Sequence, residues 1–245
     1  MFYRLGSFLV AVSVLVGFLV LIAGPLYRWQ WMALTTAMSW LTWIAYFGGA
    51  VVLAIALWII WRRPQGLHLA LLICAAGLSV ASFTVAIQQL QQTAQAPDLF
   101  EVTTNLNHPP EFSVLQPLRN DRPAADNYPQ DFRQLQRKYY PNVQPLVIEH
   151  PFLRTFEAAL IVINDLGWQL VQSDLPNGRI EVTATTVWFG FTDDLVIQMY
   201  PLDDQTDRIR IDMRGSARAG SSDLGRNATH ITTFMAQLQQ TLNRR

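Results

Sequence analysis

Before Asp98 the chain carries no acidic residue and only four basic ones, Arg4, Arg28, Arg62 and Arg63. The intervals hold three uncharged apolar runs, Ser7 to Tyr27, Met38 to Trp61 and Leu67 to Ile87. About twenty such residues in a helix cross the ~30 Å hydrocarbon layer of a bilayer. Trp29, Trp31, Trp40, Trp58 and Trp61 cluster near the run ends, where amphipathic rings favour the membrane interface. No small-x-small cleavage pattern follows the first run and two more runs come after it, so it reads as an anchor and not a signal peptide. Residues 1–96 are therefore expected to be a membrane anchor of three helices, about 7–27, 38–61 and 67–87.

Orientation follows from the short flanks. Placing Arg4, Arg62 and Arg63 inside leaves only Arg28 outside, and no Lys or Arg falls between Gly66 and Arg119, which satisfies the positive-inside bias. Three spans then carry the remainder across, so the expectation is an integral protein of a bacterial inner membrane with its C-terminal domain in the periplasm. The spans contain no Asp, Glu, Lys or Arg, the groups that an ion or proton path normally needs. His68 reads as a wet interfacial residue and Cys74, the single cysteine, as an apolar filler; one thiol excludes an intrachain disulfide and the common thiolate zinc patterns. Gly48, Gly49, Ala50, Ala75, Ala76 and Gly77 suit close helix packing. An anchor, or a contact surface for another membrane protein, fits better than a transporter.

Residues 98–245 hold fourteen Lys/Arg against eighteen Asp/Glu, a net charge of −4, which argues against a nucleic-acid partner. Gln88 to Ala96 reads as a polar connector that continues the third helix until Pro97. Seven prolines between Asp98 and Pro145 resist regular structure, so 97–145 is expected to be a proline-rich wrapping segment with one short helix over Asp131 to Tyr140.

Residues 146–245 carry regular signals. Leu146 to Glu149 suits a strand. Pro151 opens a helix whose stripe Phe152, Phe156, Ala159, Leu160 and Ile163 runs to Leu166. Trp168 to Ser173 and Arg179 to Val187 form a hairpin around Asn177-Gly178. Leu195 to Tyr200 and Arg208 to Arg214 are further strands, joined by a polar turn at Asp203 to Asp207. Asp223 to Leu242 is a closing helix with Ile231, Phe234, Met235, Leu238 and Leu242 buried. The order β-α-β-β-β-β-α implies an α+β sandwich, an antiparallel sheet with both helices packed on one face.

Alternation assigns Ile209, Ile211 and Met213 to the helix side and Arg208, Arg210, Asp212 and Arg214 to the other, with Arg179, Glu181, Asp194 and Gln198 on that same outer face. Two readings fit: a solvated face laced with cross-strand ion pairs, or a polar ligand surface roofed in part by the proline-rich segment or the Trp188–Phe191 loop. In the turn Gly215 to Gly225, Ser222 or Asp223 can cap the last helix. Arg214, Arg218 and Arg226 there either hold a phosphate or carboxylate near a helix start or pair with Asp193, Asp194 or Asp212. Those aspartates have no fixed separation, Asp203 to Asp207 lacks calcium-loop spacing, and His108, His150 and His230 fall in no metalloprotease or nucleophile-elbow motif. No metal and no cofactor is expected.

The runs DMRGSARAGSSDLGRNA, GRIEVTATTVWFGFTDD, TTNLNHPP and YYP resemble the family catalogued as domain of unknown function 1499, over about Asp98 to Leu242. The resemblance implies positions and no reaction. It marks Arg179, Glu181, Thr185, Phe191, Asp193, Asp194, Asp212, Arg214, Ser216, Arg218, Gly220, Asp223, Gly225 and Asn227. The chain departs from the family pattern at Asn105, where aspartate is usual, and at His230, where arginine or lysine is. With Ser222, these give the candidate ligand-binding set Arg179, Glu181, Asp193, Asp194, Asp212, Arg214, Ser216, Arg218, Ser222, Asp223 and Asn227. The expected role is a membrane-anchored extracytoplasmic binding or scaffold module of the cell envelope, partnered by the lipid bilayer and by another membrane protein or an anionic small ligand. Two alternatives stand: an envelope lipid or glycan hydrolase using Asp193, Asp194, Asp212 or Asp223 with arginine assistance, and an accessory subunit of a membrane complex.

Overall fold

The structure is a computed structural model that describes residues 2–119, 128–202 and 207–244. Pro123 and most of the expected polar turn, Asp203 to Thr206, lie outside the described residues. The chain divides into two compact units, one running to Gln95 and including Val187–Gly190, the other comprising Ala96–Thr186 and the chain from Phe191 onward.

The first unit contains α1 (Phe2–Arg28), α2 (Leu34–Arg62) and α3 (Gly66–Gln95). All three are long and apolar enough to cross a membrane, which makes this a membrane protein. Several hydroxyls inside them are satisfied within their own helix, as Ser13 Oγ donates to the Leu9 carbonyl at 3.0 Å and Ser82 Oγ to Leu78 at 2.9 Å, which spares them an unmet donor in an apolar surrounding; the buried Ser79 Oγ has no such partner among the described residues. Helix α2 stops at Arg63, whose backbone turns left-handed (φ 45°) while its N–H returns to the Ile59 carbonyl. Arg62 stacks over the Trp61 ring at 4.5 Å. A Cβ on Gly48 would lie 3.5 Å from Val16, whereas one on Gly77 would meet nothing within 4 Å; only the former makes a close helix contact. Trp188 Nε1 donates to the Leu21 carbonyl at 3.1 Å.

The second unit is built on an antiparallel sheet of β1 (Glu101–Thr103), β2 (Leu146–Glu149), β3 (Gln169–Asp174), β4 (Arg179–Thr185), β5 (Thr192–Pro201) and β6 (Arg208–Ala217). The order is β1-β6-β5-β4-β3, and β2 also pairs with β6. The registers Glu101↔Ser216 and Leu146↔Ile211 set β1 and β2 along successive stretches of one β6 edge. Helices α5 (Phe152–Asp165) and α6 (Arg226–Asn243) cover one face. Their Phe156, Val162, Ile163, Ile231, Phe234 and Leu238 close a core with Ile180, Val182, Leu195, Ile197, Ile209, Ile211 and Met213. Burying a side chain of this size contributes about 1.5–3 kcal/mol. The α+β architecture, with both helices on one face, is as the alternation predicts.

Three local expectations give way. Residues 97–145 carry the expected short helix, α4 (Gln130–Tyr139), but they also supply an unexpected edge strand of the sheet, β1, which α4 braces. Gln136 on α4 accepts the Thr103 N–H at 3.0 Å and donates to the Thr103 carbonyl at 2.6 Å, the pairing a further strand would have supplied. The last helix starts at Arg226 and not Asp223: Leu224 and Gly225 have φ values of 56° and 79°, and a right-handed helix cannot run back through two left-handed residues. Strand β5 opens at Thr192, three residues early, which makes Asp193 and Asp194 strand residues facing opposite sides.

Candidate functional site

The outer face of the sheet is roofed. Glu181, Thr183, Asp194, Gln198, Asp212, Arg214 and Ser216 are between 0 and 7% exposed, although alternation points them away from the helices. The cover comes from the proline-rich segment, whose Phe112 and Leu115 pack on Val196 of β5. This overturns the solvated-face reading. Buried charge costs several kcal/mol unless it is paired or hydrogen-bonded; beneath the roof Arg214, Asp194 and Asp212 have ion-pair partners and Glu181 accepts two backbone N–H groups.

Arg214 is the centre of this layer. Its Nη2 lies 2.8 Å from Glu101 Oε1, both side chains at most 1% exposed. Its Nη1 donates to the Pro110 carbonyl at 3.2 Å, and the guanidinium sits 5.4 Å over the Phe112 ring. Glu181 accepts the Ser113 and Leu115 N–H groups, the latter at 2.8 Å, so it staples the roof to β4. Asp194 takes Arg218 in a bidentate pair at 2.9 and 2.9 Å. Thr183 bridges the two, donating to Asp194 and accepting from Arg218; the Asp194 contact raises the Arg218 pKa. Asp212 takes Arg210 at 3.0 and 3.1 Å and also accepts Thr104 Oγ1 and Asn105 Nδ2. Bidentate charge-assisted pairs of this kind are the stronger class. Arg179 donates to Gln198, and Gln198 in turn to the Asn177 carbonyl of the hairpin turn.

Asp193 belongs to the opposite side, under α6. Arg226 donates to both its oxygens at 2.7 and 2.8 Å, and His230 Nε2 approaches at 3.3 Å. Arg226 lies 4.6 Å over the Phe191 ring, and the Trp168 and His230 rings meet edge to face at 5.4 Å. Burial pushes the Asp193 carboxyl up, but the Arg226 and His230 contacts outweigh it and hold it below the usual range.

Ser222, Asp223 and Asn227 tie the turn together. Asp223 accepts the Gly225 N–H at 2.8 Å and the Asn227 N–H at 3.0 Å, so it reaches across the two left-handed residues to satisfy the helix start. Burial leaves its carboxyl raised despite those bonds. Ser222 Oγ donates to the Pro97 carbonyl, the Asp223 N–H to Leu99, and Asn227 Nδ2 to Phe100. A Cβ on Gly215 would stand 2.5 Å from Asn227 Oδ1 and 2.6 Å from Leu195, which is the steric reason for glycine there.

The eleven expected positions thus fall into separate groups. Arg214 lies beneath the roof with Glu181 and Ser216, Arg218 with Asp194 at its margin, Arg210 with Asp212 farther along β6, and Arg226 with Asp193 on the helix side. The arginines of the turn do not converge on one anion; each holds a carboxylate. Sequence reasoning missed Glu101, Gln136 and Tyr128. Tyr128 donates to the Glu101 carbonyl and to Gln136 Oε1, and burial raises its pKa. Only the apolar spacing around β1 could have signalled this trio, and a three-residue strand leaves too little of it.

Beyond the roofed layer, a cavity of about 400 Å³ opens beside β6. Thr104 to Asn107, the end of α4, Tyr140, Pro141 and Val143 to Pro145 line it, with Arg210. No group of three or more His, Cys, Asp or Glu that could hold a metal occurs among the described residues. The family model described as protein of unknown function (DUF1499) matches residues 101–238, and the chain belongs to that family. No curated protein matches the chain.

Proposed function

We propose that this DUF1499 member is a membrane-anchored binding and scaffold module of the bacterial cell envelope, its sheet domain standing on the periplasmic side of the inner membrane. The flanking arginines support that orientation. The observation that carries the binding role is the engagement of the four aspartates: Asp193 by Arg226, Asp194 by Arg218, Asp212 by Arg210, and Asp223 by two backbone N–H groups. A substrate would have to displace these ties before any carboxylate could move a proton.

One observation favours a hydrolase as the second reading. Asp193 is held below and Asp223 pushed above the ordinary carboxyl range, a divergence that elsewhere separates base from acid roles. Both carboxylates, however, are 0% exposed.

Thermal unfolding of the full chain in detergent separates the two. Under the binding role, Asp193→Asn lowers Tm by several degrees because it loosens Arg226. Under the hydrolase reading it leaves Tm unchanged or raises it, since catalytic groups are commonly held at a cost to stability. For the orientation, a phosphatase that matures only in the periplasm is expected to be active when fused after Arg245. Activity from a cytoplasm-only reporter at the same point contradicts it.

A further inference from the structure

We propose that the cavity beside β6 is an anion-binding site, in which Arg137 and Arg210 grip a phosphate or carboxylate group. This deepens the binding-module reading and rests on it. At about 400 Å³ the cavity falls within the range of small-molecule sites. Its wall carries two guanidiniums and the Asn107 amide, beside the Asn105 and Gln144 amides, which also donate to Asp212 and to the Pro141 carbonyl; no acidic residue lines it among the described residues. That is the side-chain set that recognises a planar or tetrahedral oxyanion through forked N–H donors.

Each arginine is placed by a buried neighbour. Arg137 follows Gln136, which is 2% exposed and fixed to β1 by its bonds to Thr103. Arg137 itself is exposed and makes no ion pair or hydrogen bond among the described residues. Arg210 is held rigid by Asp212 through Nε and Nη2, which leaves Nη1 outside that contact. Asp212 also accepts from Thr104 and Asn105, which fixes the carboxylate and with it the position of the Arg210 guanidinium; the uncompensated charge at the cavity is that of Arg137. Arg214, Arg218 and Arg226 are committed to carboxylates; at the cavity Arg137 is not, among the described residues.

The test is a thermal-shift titration of the full chain in detergent with inorganic phosphate and, separately, with glycerol phosphate, each against chloride at matched ionic strength. Saturable stabilisation by either probe is expected. Arg137→Ala should weaken it about tenfold, the loss of one charged hydrogen-bonded contact, and Asn107→Asp, which sets a carboxylate on the exposed wall, should weaken it similarly. Tighter binding of glycerol phosphate identifies a headgroup-bearing ligand, and equal binding a free oxyanion. No stabilisation beyond chloride, or stabilisation that both variants leave intact, overturns the site. Either result leaves the Asp193→Asn measurement standing, so failure of the site and failure of the binding module are distinguishable.

Discussion

The two faces of the sheet are both buried, but by opposite chemistry. Under α5 and α6 the strands meet a continuous apolar core running from Val102 to Leu242. Beneath the proline-rich roof they present Arg214, Glu181, Asp194 and Asp212, with a small apolar patch of Phe112, Leu115 and Val196. The first face stabilises through area removed from water and tolerates swaps that conserve volume. The second gains little net free energy from its charges, because desolvation offsets attraction, yet it is intolerant of losing one partner. The helix face thus gives the domain most of its stability. The roofed face fixes which loop lies where, and so shapes the cavity edge at Thr104 and Asn105.

Mutation can break this contrast at either face. Phe234→Ala, which empties a fully buried ring site, should cost about 3–5 kcal/mol and give the largest fall in denaturant midpoint. Arg214→Ala should cost nearly as much by a different route, stranding Glu101 in a buried layer; a loss below about 1 kcal/mol would mean the layer is wet. Gly215→Ala comes next, at about 1–3 kcal/mol of overpacking, since Asn227 and Leu195 must both give way. It should leave the membrane unit's helicity by circular dichroism unchanged.

The smallest effect is in pH. The folded Asp193 pKa lies below its ordinary 3.8, so its contribution is present above that value and is lost as pH falls through the folded one. Asp223 is raised, so its contribution runs the other way: it is full below the ordinary value and lost as pH rises through the folded one. Asp193→Asn should therefore flatten the acid limb of a Tm–pH profile, and Asp223→Asn should steepen it.

Much of the helix face was legible. Ile209, Ile211 and Met213 keep strict alternation, Asn177-Gly178 marks its hairpin, and the uncharged runs before Asp98 mark the membrane helices. The roofed face was not legible, for a physical reason. Arg208, Arg210, Asp212 and Arg214 alternate in the same way whether water or a loop covers them. What decides is a partner such as Glu101, more than a hundred residues away in the chain. The start of α6 was hidden too, because Leu224 has no local feature that demands a left-handed backbone. At the candidate site, the turn arginines drew attention by density alone. Arg137, in an unremarkable charged helix, gave no signal that it would line the same cavity as Arg210.

The central claim, that the polar face is intolerant of losing one partner of a buried pair, is tested most directly by a double-mutant cycle on Glu101 and Arg214. Equilibrium unfolding would be compared for Glu101→Leu, Arg214→Met and the two combined. The account predicts that each single variant is strongly destabilised and that the double recovers most of the loss, since neither member of the pair is then left without the other. Strictly additive losses in the double would contradict it.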